Sequence, residues 1–197
     1  MGEGQTAGAL RHARRARFEV NSDPKAGGLA HGVEWVVVAL GSNQGDSGKI
    51  LVEAMDRLAR LAGGSLRRSS LWRSAPVDCP PGSADFLNAV VAWAKAPEQT
   101  PETLLKTLQA LEQEFGRRPK RVPNEPRPLD LDLIVFGRER RQTEPLTLPH
   151  PRARERAFVL CPLAEVLPNL VLPGETQTVR QLLEGLGRAG SQRVERI

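Results

Sequence analysis

Pro126-Arg127-Pro128-Leu129-Asp130-Leu131-Asp132-Leu133-Ile134-Val135-Phe136 reads from Leu129 as a strand: apolar, β-branched toward its end and stopped by Gly137. Side chains alternate faces along a strand at about 3.3 Å per residue, so Asp130 and Asp132 point the same way, about 6–7 Å apart. Leu129, Leu131, Leu133 and Val135 are expected to face the core. Two carboxylates on one face of an apolar strand repel each other and resist burial. A cation between them relieves both costs. Oxygen ligands with no Cys or His beside them suggest Mg²⁺ rather than zinc. Mg²⁺ held by one or two carboxylates completes its shell with waters and substrate phosphates. Arg127 and the cationic run before it suit a metal–nucleotide complex. Taken alone, the Asp-x-Asp pair is more readily read as the solvent face of an edge strand, paired with arginines; the flanking residues change that reading.

A chain of 197 residues is long enough for one domain with a real core. Its net charge of +5 is compatible with anionic partners. Cys79 and Cys161 form neither a metal-ligand spacing nor a disulfide framework, which points to a reducing cytoplasm. No apolar run approaches the roughly 18 residues of a membrane span. Tyr is absent and Phe numbers five, too few for a stacking surface that binds single-stranded nucleic acid. Residues 1–33 lack a sustained apolar period and are expected to be a disordered basic tail, leaving 34–197 as the domain.

Glu34 to Leu40 reads as a buried strand running into the turn Gly41-Ser42-Asn43. Asp46 or Ser47 caps a helix carrying Leu51, Ala54, Met55, Leu58 and Leu61 at helical spacing. Leu66 to Trp72 reads as a strand, followed by a Pro-rich loop through Gly82. Phe86 to Ala94 is another strand. Thr100-Pro101-Glu102 opens a helix with core face Leu104, Leu105, Leu108, Leu111 and Phe115. After the Asp130 strand come a turn at Gly137, an apolar block from Phe158 to Leu172 and a short helix near Val179 to Leu186. Mixed strands and helices without a strict βαβα rhythm indicate an α+β fold, a sheet covered by helices.

Four blocks, in order and with fitting spacing, resemble the 6-hydroxymethyl-7,8-dihydropterin pyrophosphokinase family. They are Ala39-Leu40-Gly41-Ser42-Asn43, Ser70-Leu71-Trp72-Arg73-Ser74-Ala75-Pro76, Phe86-Leu87-Asn88-Ala89 and Pro126 through Asp132. Leu148-Pro149-His150-Pro151 with Arg156, Phe158 and Pro162-Leu163 extends the likeness over about residues 35–175. The resemblance implies a ferredoxin-like α+β core in three αβα layers and a monomeric enzyme. Its reaction would move pyrophosphate from ATP to the pterin hydroxymethyl group and release AMP, a step of folate biosynthesis.

By the same resemblance, Asp130 and Asp132 hold two Mg²⁺ ions that bridge the ATP phosphates. Arg117, Arg127, His150 and Arg156 contact the triphosphate, with Lys120 beside them. Arg117 and Arg127 share the catalytic role with the two aspartates. Glu112, by family position, helps to order the site. Asn88 bonds the pterin edge, Phe86 and Phe158 sandwich its ring, and Ser74 and Val77 offer backbone groups to it.

The residues also carry plainer readings. Phe86 and Phe158 alone read as core, His150 between prolines as a turn residue, and Arg117 to Arg121 as a solvated loop. Asn88 is different, because an amide inside an apolar strand needs partners. Two positions depart from the family pattern. Asn124-Glu125 stands where Trp-Gly usually precedes Pro-Arg, which removes an aromatic able to cover the site, and Pro151 stands where Tyr often follows the histidine. A generic two-metal transferase, an RNA-binding ferredoxin-like module and an ATP-binding pseudoenzyme remain alternatives. The RNA module would have no use for paired aspartates, which repel phosphate.

Overall fold

Trp35–Ser42 (β1) is the centre of the molecule, with Val36, Val37 and Val38 closed to solvent on both faces. The computed structural model describes residues 32–118, 125–189 and 192–197. The expected tail falls almost wholly outside the described residues, as do Lys120 and Asn124.

Helix α1 (Ser47–Leu61) follows β1, and the Asp46 carboxylate accepts a hydrogen bond from the Lys49 backbone N–H at 3.2 Å. The strand expected over Leu66 to Trp72 is two short pieces, β2 (Arg67–Arg68) and β3 (Trp72–Ser74). Both pair with β4 (Phe86–Ala94). The break lies at Ser69, whose hydroxyl accepts the Val90 N–H that a continuous strand would bond through its carbonyl. Helix α2 (Pro101–Glu114) begins with a reciprocal Thr100–Thr103 capping box and Pro101 in its first turn. Strand β5 is Asp130–Phe136.

Strand order is β5-β1-β4-β3-β8, where β8 is Val194–Arg196, with every pairing antiparallel. With α1 and α2 on one face and two later helices on the other, the expected three-layer, ferredoxin-like α+β arrangement is present. The second helical layer is α3 (Ala157–Val166), within the expected apolar block, and α4 (Val179–Ala189). A short 3-10 turn, Ala153–Glu155, leads into α3.

Three further features depart from expectation. Val135 does not share the face of Leu129, Leu131 and Leu133; it packs with Ile134 against α3, and Phe136 takes its place. The β1 partners jump from Leu133 to Val135, so Ile134 is the extra residue of a bulge that resets the alternation. Beyond Gly137 the chain forms a hairpin, β6 (Arg141–Thr143) with β7 (Leu146–Leu148), where only a turn was expected. Finally, Val194–Arg196 (β8) pairs with β3. That short charged segment is a strand only because an open sheet edge is there to pair with.

Candidate active site

Antiparallel register brings the site together on the α3 face of three neighbouring strands. Asn88 on β4 lies opposite Gly41 on β1, and Gly41 lies opposite Asp130 on β5. One row inward, Val90, Ala39 and Asp132 align in the same way. Phe86 precedes Asn88 by two residues and so shares its face. The rows form the floor of a cleft of about 440 Å³. Ser74, Val77, Phe86, Asn88, Glu112, Arg117, Arg127, Asp130, Asp132, His150, Arg156 and Phe158 all line it. Of the site residues expected from sequence, only Lys120 lies outside the described residues.

The carboxylate half is held by arginines and by one buried acid. Arg117 Nη1 lies 2.7 Å from Asp130 Oδ1, and Arg127 Nη1 lies 3.3 Å from Oδ2. Arg156 Nη1 is 4.0 Å from Asp132 Oδ2. Glu112, at the end of α2, is 6% exposed and accepts the Leu131 backbone N–H at 2.7 Å while pairing with Arg117. β5 is an edge strand, so that N–H has no strand partner on its outer side. Glu112 thus satisfies the sheet edge between the two aspartates and aims Arg117 at Asp130.

These environments shift the acids upward. Burial pushes Glu112 to about 7 and outweighs the Leu131 N–H and Arg117, with Asp130 and Asp132 adding to the rise. Asp132 lines the cleft; desolvation, then the Asp130 charge, raises its pKa against the pull of His150, Arg156 and Arg127. The charged form of Asp132 gains from a cation beside it. Among the described residues no cluster of three or more His, Cys, Asp or Glu could hold a metal. A pair of carboxylates facing an arginine-lined cleft fits Mg²⁺ that shares its shell with phosphate, and does not fit a closed structural zinc site.

Asn43 was not anticipated as a site residue. Its backbone N–H donates to the Arg127 carbonyl at 3.2 Å, and its Oδ1 accepts the Arg127 N–H at 2.9 Å. Both main-chain groups of Arg127 are therefore clamped to the end of β1. Asn43 Nδ2 and Arg127 Nε are buried donors without an acceptor among the described residues. Such donors beside a cleft suit an acceptor-rich ligand. The signal in sequence was present, since a Ser-Asn pair directly after a strand forms side-chain-to-backbone bonds.

In the other half, the Asn88 amide donates to the Trp72 carbonyl at 3.3 Å and to Ser74 Oγ at 3.0 Å. Its NH₂ is thereby used by the fold, and its Oδ1 remains the atom to present to a ligand. Phe86 and Phe158 are both half-buried cleft residues rather than closed core. Arg156 stands over the Phe158 ring at 5.3 Å, so one side chain reaches both the aromatic wall and Asp132.

His150 is fixed where β7 ends: its N–H donates to the Ile134 carbonyl at 3.0 Å, and its Nδ1 accepts the Arg152 N–H at 3.3 Å. Burial lowers its pKa despite Asp132, with Arg156 and Arg152 adding to the fall. The ring is then neutral with Nε2 as its donor. Gln109 and Arg152 also line the cleft and were missed. Gln109 was legible, because it lies on one helical face with Leu105 and Glu112.

The model of the 7,8-dihydro-6-hydroxymethylpterin-pyrophosphokinase (HPPK) family matches residues 37–168. A 2-amino-4-hydroxy-6-hydroxymethyldihydropteridine pyrophosphokinase of Synechocystis sp. is 40% identical over 148 residues, 75% of this chain and 74% of that protein. One of Methylorubrum extorquens is 41% identical over 162 residues, 80% of this chain and 97% of that protein. Among solved structures, the wild-type Plasmodium falciparum HPPK-DHPS with pteroate superposes with a TM-score of 0.58 at 13% identity, over 78% of this chain and 42% of that one. That likeness is one of fold alone, and this chain spans less than half of the solved one. The family match and the two bacterial relatives, taken with the site geometry, show that this chain belongs to the 7,8-dihydro-6-hydroxymethylpterin-pyrophosphokinase family.

Proposed function

We propose that the cleft carries out the family's reaction, pyrophosphate transfer from ATP to the hydroxymethyl group of 6-hydroxymethyl-7,8-dihydropterin with release of AMP. The chain is thus a transferase of folate biosynthesis. The observation that carries this is the adjacency, on one sheet face, of Phe86 and Asn88 with Asp130 and Asp132. A ring held by the first pair has its substituent directed at phosphates held by the second.

Asp130 and Asp132 would hold two Mg²⁺ ions, which neutralise charge on the triphosphate. Arg117, Arg127 and Arg156 bind phosphate oxygens, and His150 donates from Nε2. Lys120 joins them in this reading. Phe86 and Phe158 sandwich the pterin, Asn88 Oδ1 accepts from its edge, and Ser74 and Val77 bond it through the backbone. The protein's contribution is position: the hydroxymethyl oxygen is brought in line with the β-phosphorus. A new oxygen–β-phosphorus bond forms as the bond from that phosphorus to the α,β-bridging oxygen breaks. AMP leaves with the bridging oxygen, and the hydroxyl proton passes to water. Arg117, Arg127 and Arg156 line the cleft in which charge on the departing oxygen would develop.

The catalytic domain is proposed to span residues 34–197. The Glu34 carbonyl already accepts the Lys95 N–H at 2.7 Å, so the fold has begun there. A monomer in the cytoplasm is the accompanying proposal; the two free cysteines suit the reducing compartment. No helix among the described residues is long and apolar enough to cross a membrane.

The test is nucleotide analysis after incubation with ATP, Mg²⁺ and the reduced pterin. AMP and pterin diphosphate are expected in equal amounts. ADP with a pterin monophosphate would show a γ-directed kinase instead, and ATP consumption that ignores pterin would overturn the assignment. Each of Arg117, Arg127 and Arg156 should make charge-assisted hydrogen bonds worth about 1.5–3 kcal/mol. Conversion of each to Ala is expected to lower kcat/KM by about one to two decades. Unchanged values for all three would place the phosphates elsewhere.

A further inference from the structure

Gly41 sits in an interior strand of the sheet, paired on both sides, where glycine weakens a strand and gives nothing to the core. The backbone does not require it, since its φ lies outside the left-handed region that favours glycine. Nor does packing. A Cβ built at Gly41 would find Asn88 Oδ1 at 3.7 Å, a Phe86 ring carbon at 3.8 Å and Asp130 Cβ at 3.9 Å, all ordinary contacts. Alanine would therefore fit the folded chain without displacing anything. The three atoms it would touch are the amide acceptor, the aromatic wall and the base of one carboxylate. Such a methyl would stand on the cleft floor, between the half that takes a ring and the half that takes phosphates.

We propose that Gly41 is a specificity-determining residue: its missing side chain is the passage for the one-carbon hydroxymethyl arm that links the pterin ring to the phosphate subsite. This deepens the pyrophosphokinase reading and rests on it. A ligand whose oxygen is to meet phosphorus above Asp130, while its ring lies against Phe86 and Asn88, must carry its linker over residue 41. A bare ring need not. The position thus selects for a substituent at the ring edge that is thin where it crosses β1, and it lets that substituent lie low enough to align with the phosphates.

Gly41→Ala in the full chain tests this with three readouts. The melting temperature should stay within about 2 °C of wild type, because a shift above that already marks a real change in stability. kcat/KM for 6-hydroxymethyl-7,8-dihydropterin should fall about 10- to 200-fold, the range for one methyl group misplaced in a pocket. Binding of 7,8-dihydropterin, which has the ring without the arm, should change by less than about threefold, well below that range. Unaltered kcat/KM overturns the proposal. So does an equal loss for both ligands, which would place the methyl under the ring, and so does a lowered melting temperature, which would make Gly41 a residue of the fold. A wild type that forms no AMP from ATP and pterin would instead sink the pyrophosphokinase reading itself. An active wild type with an unaffected Gly41→Ala variant sinks this inference alone.

Discussion

Asp132→Ala is expected to abolish pyrophosphate transfer and to leave the fold intact or slightly stabilised. The side chain is desolvated by the cleft walls and lies near Asp130, which raises its pKa, so its charge opposes folding of the free enzyme. Its one arginine contact, to Arg156, is long at 4.0 Å. Turnover should fall at least about a thousandfold, because a catalytic cation supplies several kcal/mol and each 1.36 kcal/mol is tenfold. Asp130→Ala should be equally inactive but less stable than Asp132→Ala, since Arg117 and Arg127 both pair with Asp130. Melting curves and AMP formation on the same samples check both points. Near-normal turnover in either variant would dismiss the proposed metal pair.

Glu112 carries the second large effect, this time on stability. Glu112→Leu leaves the Leu131 N–H without its buried acceptor, at a cost of about 1–3 kcal/mol. Each kcal/mol is about 2–4 °C for a chain of this size, so a drop of roughly 2–12 °C is expected. Glu112→Gln keeps an acceptor oxygen and should recover most of it. The acid also makes stability depend on pH. Its folded pKa of about 7 stands above the ordinary 4.5, so the native state holds the proton more tightly than the unfolded chain. Its stabilising contribution is complete below pH 4.5 and is lost as pH rises through 7. The melting temperature of the free enzyme should therefore fall between pH 5 and 8, and Glu112→Gln should flatten that fall. An identical pH profile in the two proteins would show that Glu112 does not titrate in this range.

Local patterns were readable wherever the physics is local. Period-two alternation placed Asp130 and Asp132 on one face, and helical spacing marked α1 and α2 with their caps. An amide in an apolar strand marked Asn88 as a residue with partners. These readings depend on backbone geometry that a few neighbouring residues set among themselves, so the α+β class and the carboxylate pair follow from the amino-acid order alone. Register and edges were decided elsewhere. The bulge at Ile134 turns Val135 to the opposite face, because pairing with β1 resets an alternation that the apolar run Leu133 to Phe136 leaves free. β8 exists because β3 offers an unpaired edge, and Glu112 is buried because α2 packs against the edge of β5. Gly41 acquires a meaning only from the strands on either side, which set Asn88 and Asp130 against it across hydrogen bonds that no local sequence specifies. The chain's own order wrote the chemical groups; pairing between residues tens of positions apart chose which of them meet, since contact across a sheet depends on long-range register rather than on propensity.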